Sequence, residues 1–224
     1  MDFPLPAAFQ AGMTRAEILV CTPASAGARG LDTTPHMPYN GRMPDKNDIT
    51  ITVFGSSRTR PDSPAYDLAY RLGAAIGARG WTLCNGGYGG LMAASAKGAK
   101  DAGAHTIGVT CQVWGRGGIN RFIDREVSTT NLYERLQTLV DLGRAYVALP
   151  GGTGTLLELA FVWELANKKL LQGRPIVLLG DCWRGVVDCT SRDDPGSTDV
   201  IHLAADPHEA AHLIAQQLAA CVQQ

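Results

Sequence analysis

From residue 49 onward, short apolar and β-branched runs alternate with longer stretches of helical period. Residues 49–54, Ile-Thr-Ile-Thr-Val-Phe, predict a first strand closed by Gly55, Ser56 and Ser57. Ser63 and Pro64 then supply a cap and a first helical position, and Leu68, Leu72, Ala75 and Ile76 make one helix face ended by Gly80. A second strand is predicted over 81–84. The turn Asn85-Gly-Gly-Tyr-Gly-Gly90 leads from it into a helix through Leu91, Ala94, Ala99 and Ala102, stopped by Gly103. Residues 106–110 form the third predicted strand. Thr130 caps a helix with Leu132, Leu136, Leu139 and Val140 on one side and Gly143 at its end. A strand over 146–149, a helix over 156–171 and a strand over 176–179 follow. A short strand over 200–203 and a helix over 207–222 capped by Asp206 complete the pattern. Strands spaced by helices predict an α/β fold: one doubly wound parallel sheet with helices on both faces, as a single domain.

The pattern fails before residue 49. Six of the 12 prolines fall there (Pro4, Pro6, Pro23, Pro35, Pro38, Pro44), so residues 1–48 are expected to be a partly disordered extension. A short helix near residues 14–20 is its one predicted element. Residues 49–224 are the expected domain.

Composition narrows the function more than the fold. The chain has 224 residues, 45% hydrophobic and 18% charged, with a formal net charge of −1. Near-neutrality argues against bulk attraction to nucleic acid or an anionic membrane, so neither is expected as a partner. No apolar run approaches the roughly 18 residues of a membrane span, and no secretory signal is read at the start. Six cysteines without a CxxC pair fit a reduced, cytoplasmic protein. The histidines show no HxxxH or HExxH array, so neither a metal nor a resident cofactor is expected.

The most informative stretch is Pro150-Gly-Gly-Thr-Gly-Thr-Leu-Leu-Glu158. A glycine-rich turn from a strand into a helix presents backbone N–H groups at the positive end of the helix dipole, which suits a phosphate. Gly151, Gly152, Thr153, Gly154 and Thr155 are the candidate cradle, and Glu158 follows as a candidate catalytic carboxylate. Thr155 and Glu158 also satisfy a capping box, in which Glu158 only reaches back to the Thr155 N–H. Both readings stand on the pattern alone. Gly55, Ser56 and Ser57 after the first strand, and Gly86, Gly87, Gly89, Gly90 and Met92 after the second, join the candidate binding set because such turns share the carboxyl edge of a parallel sheet. Met92, Phe161 and Trp163 equally fit a core. Arg135 lies off the apolar stripe of its helix: it is either solvated or turned toward a phosphate or ribose. A dinucleotide fingerprint is out of phase, with Met92 where a GxGxxG run from Gly87 needs glycine, and no glycine turn continues into the Lys-Ser or Lys-Thr of a phosphate loop.

These two glycine motifs, Asn85-Gly-Gly-Tyr-Gly-Gly-Leu-Met92 and Pro150-Gly-Gly-Thr-Gly-Thr-Leu-Leu-Glu158, resemble the paired signatures of the LONELY GUY (LOG) family, long called possible lysine decarboxylases. Gly55-Ser-Ser57, Tyr66, Ile107-Gly-Val109, Trp163 and Arg174-Pro175 extend the likeness over about residues 49–220. The resemblance implies a Rossmann-like fold, a homodimer, and cleavage of the N-glycosidic bond of AMP or a cytokinin riboside 5′-monophosphate to free base and ribose 5-phosphate. Decarboxylation is not expected, because Lys97, Lys100, Lys168 and Lys169 lie on predicted helices beside no site for pyridoxal phosphate. It further implies that Gly151, Gly152, Gly154 and Thr155 hold the 5′-phosphate and that Glu158 and Arg135 are catalytic. Leu136 departs from the family's Arg-Lys pair, Leu132 and Leu139 replace methionines, and Leu157 replaces the first of two adjacent glutamates. Those departures resemble a divergent branch of the superfamily, which includes molybdenum-cofactor carriers that bind rather than cleave.

Overall fold

A computed structural model describes residues 49–114, 118–171 and 173–222. The Pro-rich segment 1–48, with its predicted helix near 14–20, lies outside the described residues. Seven strands form one sheet: β1 (Thr50–Phe54), β2 (Thr82–Asn85), β3 (Thr106–Cys111), β4 (Arg125–Thr129), β5 (Ala145–Ala148), β6 (Ile176–Leu179) and β7 (Ile201–Ala204). Their order is β4-β3-β2-β1-β5-β6-β7, and every pairing is parallel. Among the described residues, α1 (Pro64–Gly77), α2 (Leu91–Asp101), α3 (Leu132–Leu142), α4 (Thr153–Asn167) and α5 (Arg184–Asp193) connect successive strands except β3 and β4, and α6 (Pro207–Val222) follows β7. The architecture is the Rossmann-like doubly wound sheet that the alternation predicts.

Side chains alternate across each strand, so the sheet has two apolar faces. Ile51, Val53, Leu83, Val147, Leu149, Val177 and Leu179 pack with buried residues of α1, α2 and α6 in one core. The alternate positions, among them Phe54, Cys84, Tyr146, Ala148 and Leu178, are also buried, as are Leu136, Leu139 and Val140 of α3 and Leu159, Val162 and Trp163 of α4. Burial on both sides explains the nearly unbroken apolar runs of the central strands. Helices α1 and α2 cross closely because Gly73 and Gly98 face backbone: a Cβ at either would lie 1.9 Å from a carbonyl oxygen of the other helix.

Three local expectations are corrected. Asn131, rather than Thr130, caps α3; its side chain accepts the Glu134 N–H, while the Glu134 carboxylate accepts from the Thr130 N–H and hydroxyl. Helix α4 starts at Thr153, one turn earlier than the apolar pattern suggests. Strand β4 is not among the predicted strands, because an edge strand with exposed Glu126 and Ser128 carries no apolar run.

The strand order reverses between β1 and β5. Chain connections leave these two neighbours in opposite directions, which opens a crevice beyond their carboxyl ends. The turns following β1, β2 and β5 all lie at that edge.

Candidate functional site

The three turns are bonded to one another. Ser56 donates its N–H to the Pro150 carbonyl at 3.1 Å, and Leu91 donates to the Ser56 carbonyl at 2.8 Å. Between them lies a cavity of about 420 Å³. Its walls include Gly55, Ser56 and Ser57 from the first turn, Gly152, Thr153, Gly154 and Thr155 from the third, and Met92, Arg135 and Glu158. Most of the candidate set therefore converges on one cavity, although its members come from four separate stretches of chain.

The remaining candidates do not line it. Gly86, Gly87, Gly89 and Gly90 do not line the cavity; from their turn only Tyr88 and Met92 do. Met92 is both buried, at 7% exposed, and part of the lining, so its core and site readings coexist. Gly151 is also absent from the lining, and a Cβ there would meet the Thr155 hydroxyl at 2.1 Å.

Helix α4 begins without a side-chain cap: Gly152 is its N-cap, and no side chain bonds the first turn. The N–H groups of Thr153, Gly154 and Thr155 have no partner within the helix by geometry, and the dipole adds partial positive charge there. This end points along the cavity wall. The capping box does not form. With the helix starting at Thr153, Thr155 lies inside it, and the Glu158 carboxylate turns to Arg135 instead of the backbone.

The Arg135–Glu158 pair is the chemical centre. Arg135 Nη1 donates to Glu158 Oε1 at 2.7 Å, with side chains only 4% and 11% exposed. Arg135 Nε donates to the Val109 carbonyl at 3.0 Å. Gly86 makes room for it, since a Cβ at that position would lie 2.2 Å from Arg135 Nη2. Arg135 is thus buried, and its solvated reading is set aside; the helix leaves it off the leucine stripe because it faces the neighbouring glycine turn. Burial pushes the Glu158 carboxyl above its ordinary value, and the Arg135 charge and hydrogen bond offset that only in part. A carboxylate held this way is a stronger base than a solvated one and faces the cavity in a nearly dry setting. Cys84 lies nearby on β2, with burial pushing its thiol up to about 12, so it stays neutral.

Arg58 and Tyr88 also line the cavity, although neither belongs to the candidate set that the sequence pattern indicates. Arg58 directly follows Gly55-Ser-Ser57 at a strand end, which is the one local signal for it. Tyr88 sits between two glycine pairs, where nothing local indicates which way its ring turns. The outer wall is apolar: Leu132, Leu136 and Leu157 complete it. Among the described residues, no group of three or more His, Cys, Asp or Glu is placed to hold a metal ion, and no helix is long and apolar enough to cross a membrane.

The family model that matches residues 48–211 is that of the SLOG cluster4 family. The chain belongs to the SLOG cluster4 family. This membership agrees with the resemblance carried by the two glycine motifs. Within that LOG-like group, the chain is similar to the cytokinin riboside 5′-monophosphate phosphoribohydrolase of Mycobacterium marinum, with 38% identity over 117 residues. That alignment takes in 51% of this chain and 62% of the relative, less than two thirds of its length. Among solved structures, the molybdenum cofactor binding protein from Rippkaea orientalis matches with a TM-score of 0.64 and 25% identity, over 77% of this chain and 98% of the other. The molybdenum cofactor carrier protein from Chlamydomonas reinhardtii matches with a TM-score of 0.60 and 28% identity, over 77% and 99%. Both branches named by the resemblance are therefore represented among the SLOG cluster4 protein's relatives.

Proposed function

We propose that this protein hydrolyses the N-glycosidic bond of a nucleoside 5′-monophosphate, AMP or a cytokinin riboside 5′-monophosphate. The observation that carries the reading is the buried Arg135–Glu158 pair, which opens on the same cavity as an uncapped helix N-terminus. The phosphate docks on the N–H groups of residues 152–155, and that remote binding brings the ribose beside Glu158. As the bond from C1′ to the base lengthens, positive charge develops on the ribose, and the Glu158 carboxylate stabilises it. Glu158 accepts a proton from the attacking water; the oxygen bonds to C1′ and the base leaves with the bond's electron pair, taking a proton from solvent. Arg135 orients Glu158 and keeps it ionised against the pull of burial. Arg58 adds positive charge at the phosphate-facing mouth. The relative from M. marinum supports this reading by its name.

A second reading has its own support: both solved relatives described above are molybdenum cofactor binding or carrier proteins that match almost along their whole length. The apolar wall of Leu132, Leu136 and Leu157 suits retention of a phosphate-bearing ring compound without turnover. Purified protein incubated with AMP and with N6-isopentenyl-AMP separates the two, with base and ribose 5-phosphate followed by chromatography. Hydrolysis predicts base release that falls at least a thousandfold in Glu158→Gln, while nucleotide affinity changes little. Binding without release by the wild type favours the carrier.

The same proposal includes a cytoplasmic homodimer. On α4, Leu156 and Leu157 are 36% and 42% exposed, and Ala160 shares that surface, more apolar area than a solvent-facing helix needs. A second copy covering this face predicts twice the monomer mass in light scattering.

A further inference from the structure

Among the described residues, stretches of β3, α4 and the turn after β2 each contact the guanidinium of Arg135. Glu158 on α4 accepts from Nη1, and the Val109 carbonyl on β3 accepts from Nε. Both are hydrogen bonds in the plane of the guanidinium. The third neighbour is of another kind: the Tyr88 ring, with its centroid 6.0 Å from Arg135 Cζ. An aromatic face attracts a cation most where water is excluded, and Tyr88 is only 8% exposed although it lines the cavity.

Tyr88 is itself held at both ends. Its hydroxyl accepts the Cys111 N–H at 2.9 Å and donates toward the Cys111 carbonyl at 3.4 Å. Its backbone carbonyl accepts from Asn120 Nδ2 at 2.9 Å. Cys111 and Val109 belong to the same end of β3, so one strand end fixes both the ring and the guanidinium. The turn has no need of that side chain for its own shape. Asn85 already organises it, accepting the Gly87 N–H and donating to the Met92 carbonyl and the Ser95 hydroxyl.

We infer that Tyr88 is a positioning residue: its ring, clamped through its hydroxyl to the end of β3, holds the Arg135 guanidinium against Glu158. The ring opposes a swing of the long Arg135 side chain away from Glu158, a movement that separates the charges. Tyr88 needs no contact with a reacting atom for this. Its effect is transmitted to the Glu158 carboxylate through Arg135, and it operates whether the cavity hydrolyses its ligand or only holds it.

The readout follows from that transmission. The chain has six glutamates (Glu17, Glu126, Glu134, Glu158, Glu164, Glu209), few enough to resolve by carboxyl-carbon NMR of glutamate-labelled protein. The Glu158 signal is the one missing from Glu158→Gln. Among the described residues, Arg135 from α3 and the Cys84 thiol from β2, which stays neutral, bear on it. Tyr88→Leu removes the ring, so Arg135 relaxes away and the Glu158 midpoint rises by about one pH unit. Tyr88→Phe keeps the ring and loses the clamp, so the midpoint rises by a smaller, resolvable amount. Arg135→Met marks the upper limit. A Glu158 midpoint unchanged in a natively folded Tyr88→Leu overturns the assignment. Where Tyr88→Leu does not fold, Tyr88→Phe decides: an upward shift supports the clamp, and an unchanged midpoint refutes it. No turnover is needed, so a failure here is distinct from a failure of the hydrolytic reading.

Discussion

From the end of β2 into α2 the chain runs Asn85-Gly-Gly-Tyr-Gly-Gly90, and from β5 into the first turn of α4 it runs Pro150-Gly-Gly-Thr-Gly154. On paper these are the same device twice. In the first turn the fold itself demands Gly86, Gly87 and Gly90. Gly87 and Gly90 have φ of +75° and +62°, and a Cβ at Gly90 would lie 2.3 Å from the Ser56 carbonyl oxygen. Gly86 lies under the Arg135 guanidinium. In the second turn, a Cβ at Gly152 or Gly154 would meet nothing within 4 Å, and Gly152 has an ordinary φ of −96°. Neither α2 nor α4 has a side-chain cap, but Asn85 braces the first turn from within and the Leu91 N–H at the start of α2 donates to the Ser56 carbonyl. The contrast separates two reasons for glycine: the first turn, like Gly151 against Thr155, uses it for close packing, whereas Gly152 and Gly154 face open space, which in the proposed reading is left for a ligand to approach the backbone.

Substituting the glycines tests this division, with the largest effect expected in the first turn. Gly86→Ala places a Cβ 2.2 Å from Arg135 Nη2 and crowds the buried pair, an overpacking that costs about 1–3 kcal/mol, measurable by urea denaturation. Gly154→Ala sits in the first turn of α4 and changes stability by no more than about 1 kcal/mol. Its methyl group instead intrudes on the approach to the open N–H groups, so AMP affinity by calorimetry drops by at least tenfold, about 1.4 kcal/mol. A Gly154→Ala protein that binds AMP as the wild type does sinks the contrast.

Arg58 sharpens the comparison from the ligand's side. It is exposed at the cavity mouth, and no carboxylate pairs with it among the described residues. The buried pair is internally neutral, so Arg58 is the lining's uncompensated charge. Arg58→Gln is expected to weaken AMP about fivefold, roughly 1 kcal/mol for a solvent-screened contact, and to leave adenosine unaffected. Equal losses for AMP and adenosine would mean that Arg58 shapes the cavity rather than meeting the phosphate.

How far the sequence reveals all this depends on whether the determining contacts are local. The central strands are legible because burial on both faces leaves runs such as residues 49–54 and 176–179 almost wholly apolar. Both glycine turns are legible as turns. Their different purposes are not, because Gly86 is needed by Arg135, 49 positions away in the chain, and Gly152 by nothing within it. The fate of Glu158 misleads for a similar reason. Thr155 and Glu158 have capping-box spacing, but the glycines and Thr153 ahead of them carry no apolar marker for the true start of α4. Strand β4 is illegible because its exposed edge replaces apolar residues with Arg125 and Glu126.

The smallest effect concerns pH, and its sign follows from the raised Glu158 carboxyl. In the unfolded chain Glu158 titrates at its ordinary value of 4.5; in the native protein it holds its proton to higher pH. Between those two values the native state binds more protons than the unfolded state, so stability falls as pH rises through the window and levels off above it. Other groups have the opposite sign: Asp101, Asp124 and Asp206 are lowered from 3.8, and burial lowers His202 from 6.5, so each favours the native state as pH rises. The total curve is therefore a poor test. The difference between wild type and Glu158→Gln cancels the shared groups and leaves the one slope, downward with rising pH from about 4.5 and then flat. The same subtraction with Gly154→Ala in place of the wild type is expected to give the same slope, because the open turn takes no part in holding the pair. A slope that disappears with Gly154→Ala would show that the two turns are coupled across the cavity, and the division between them would then have to be withdrawn.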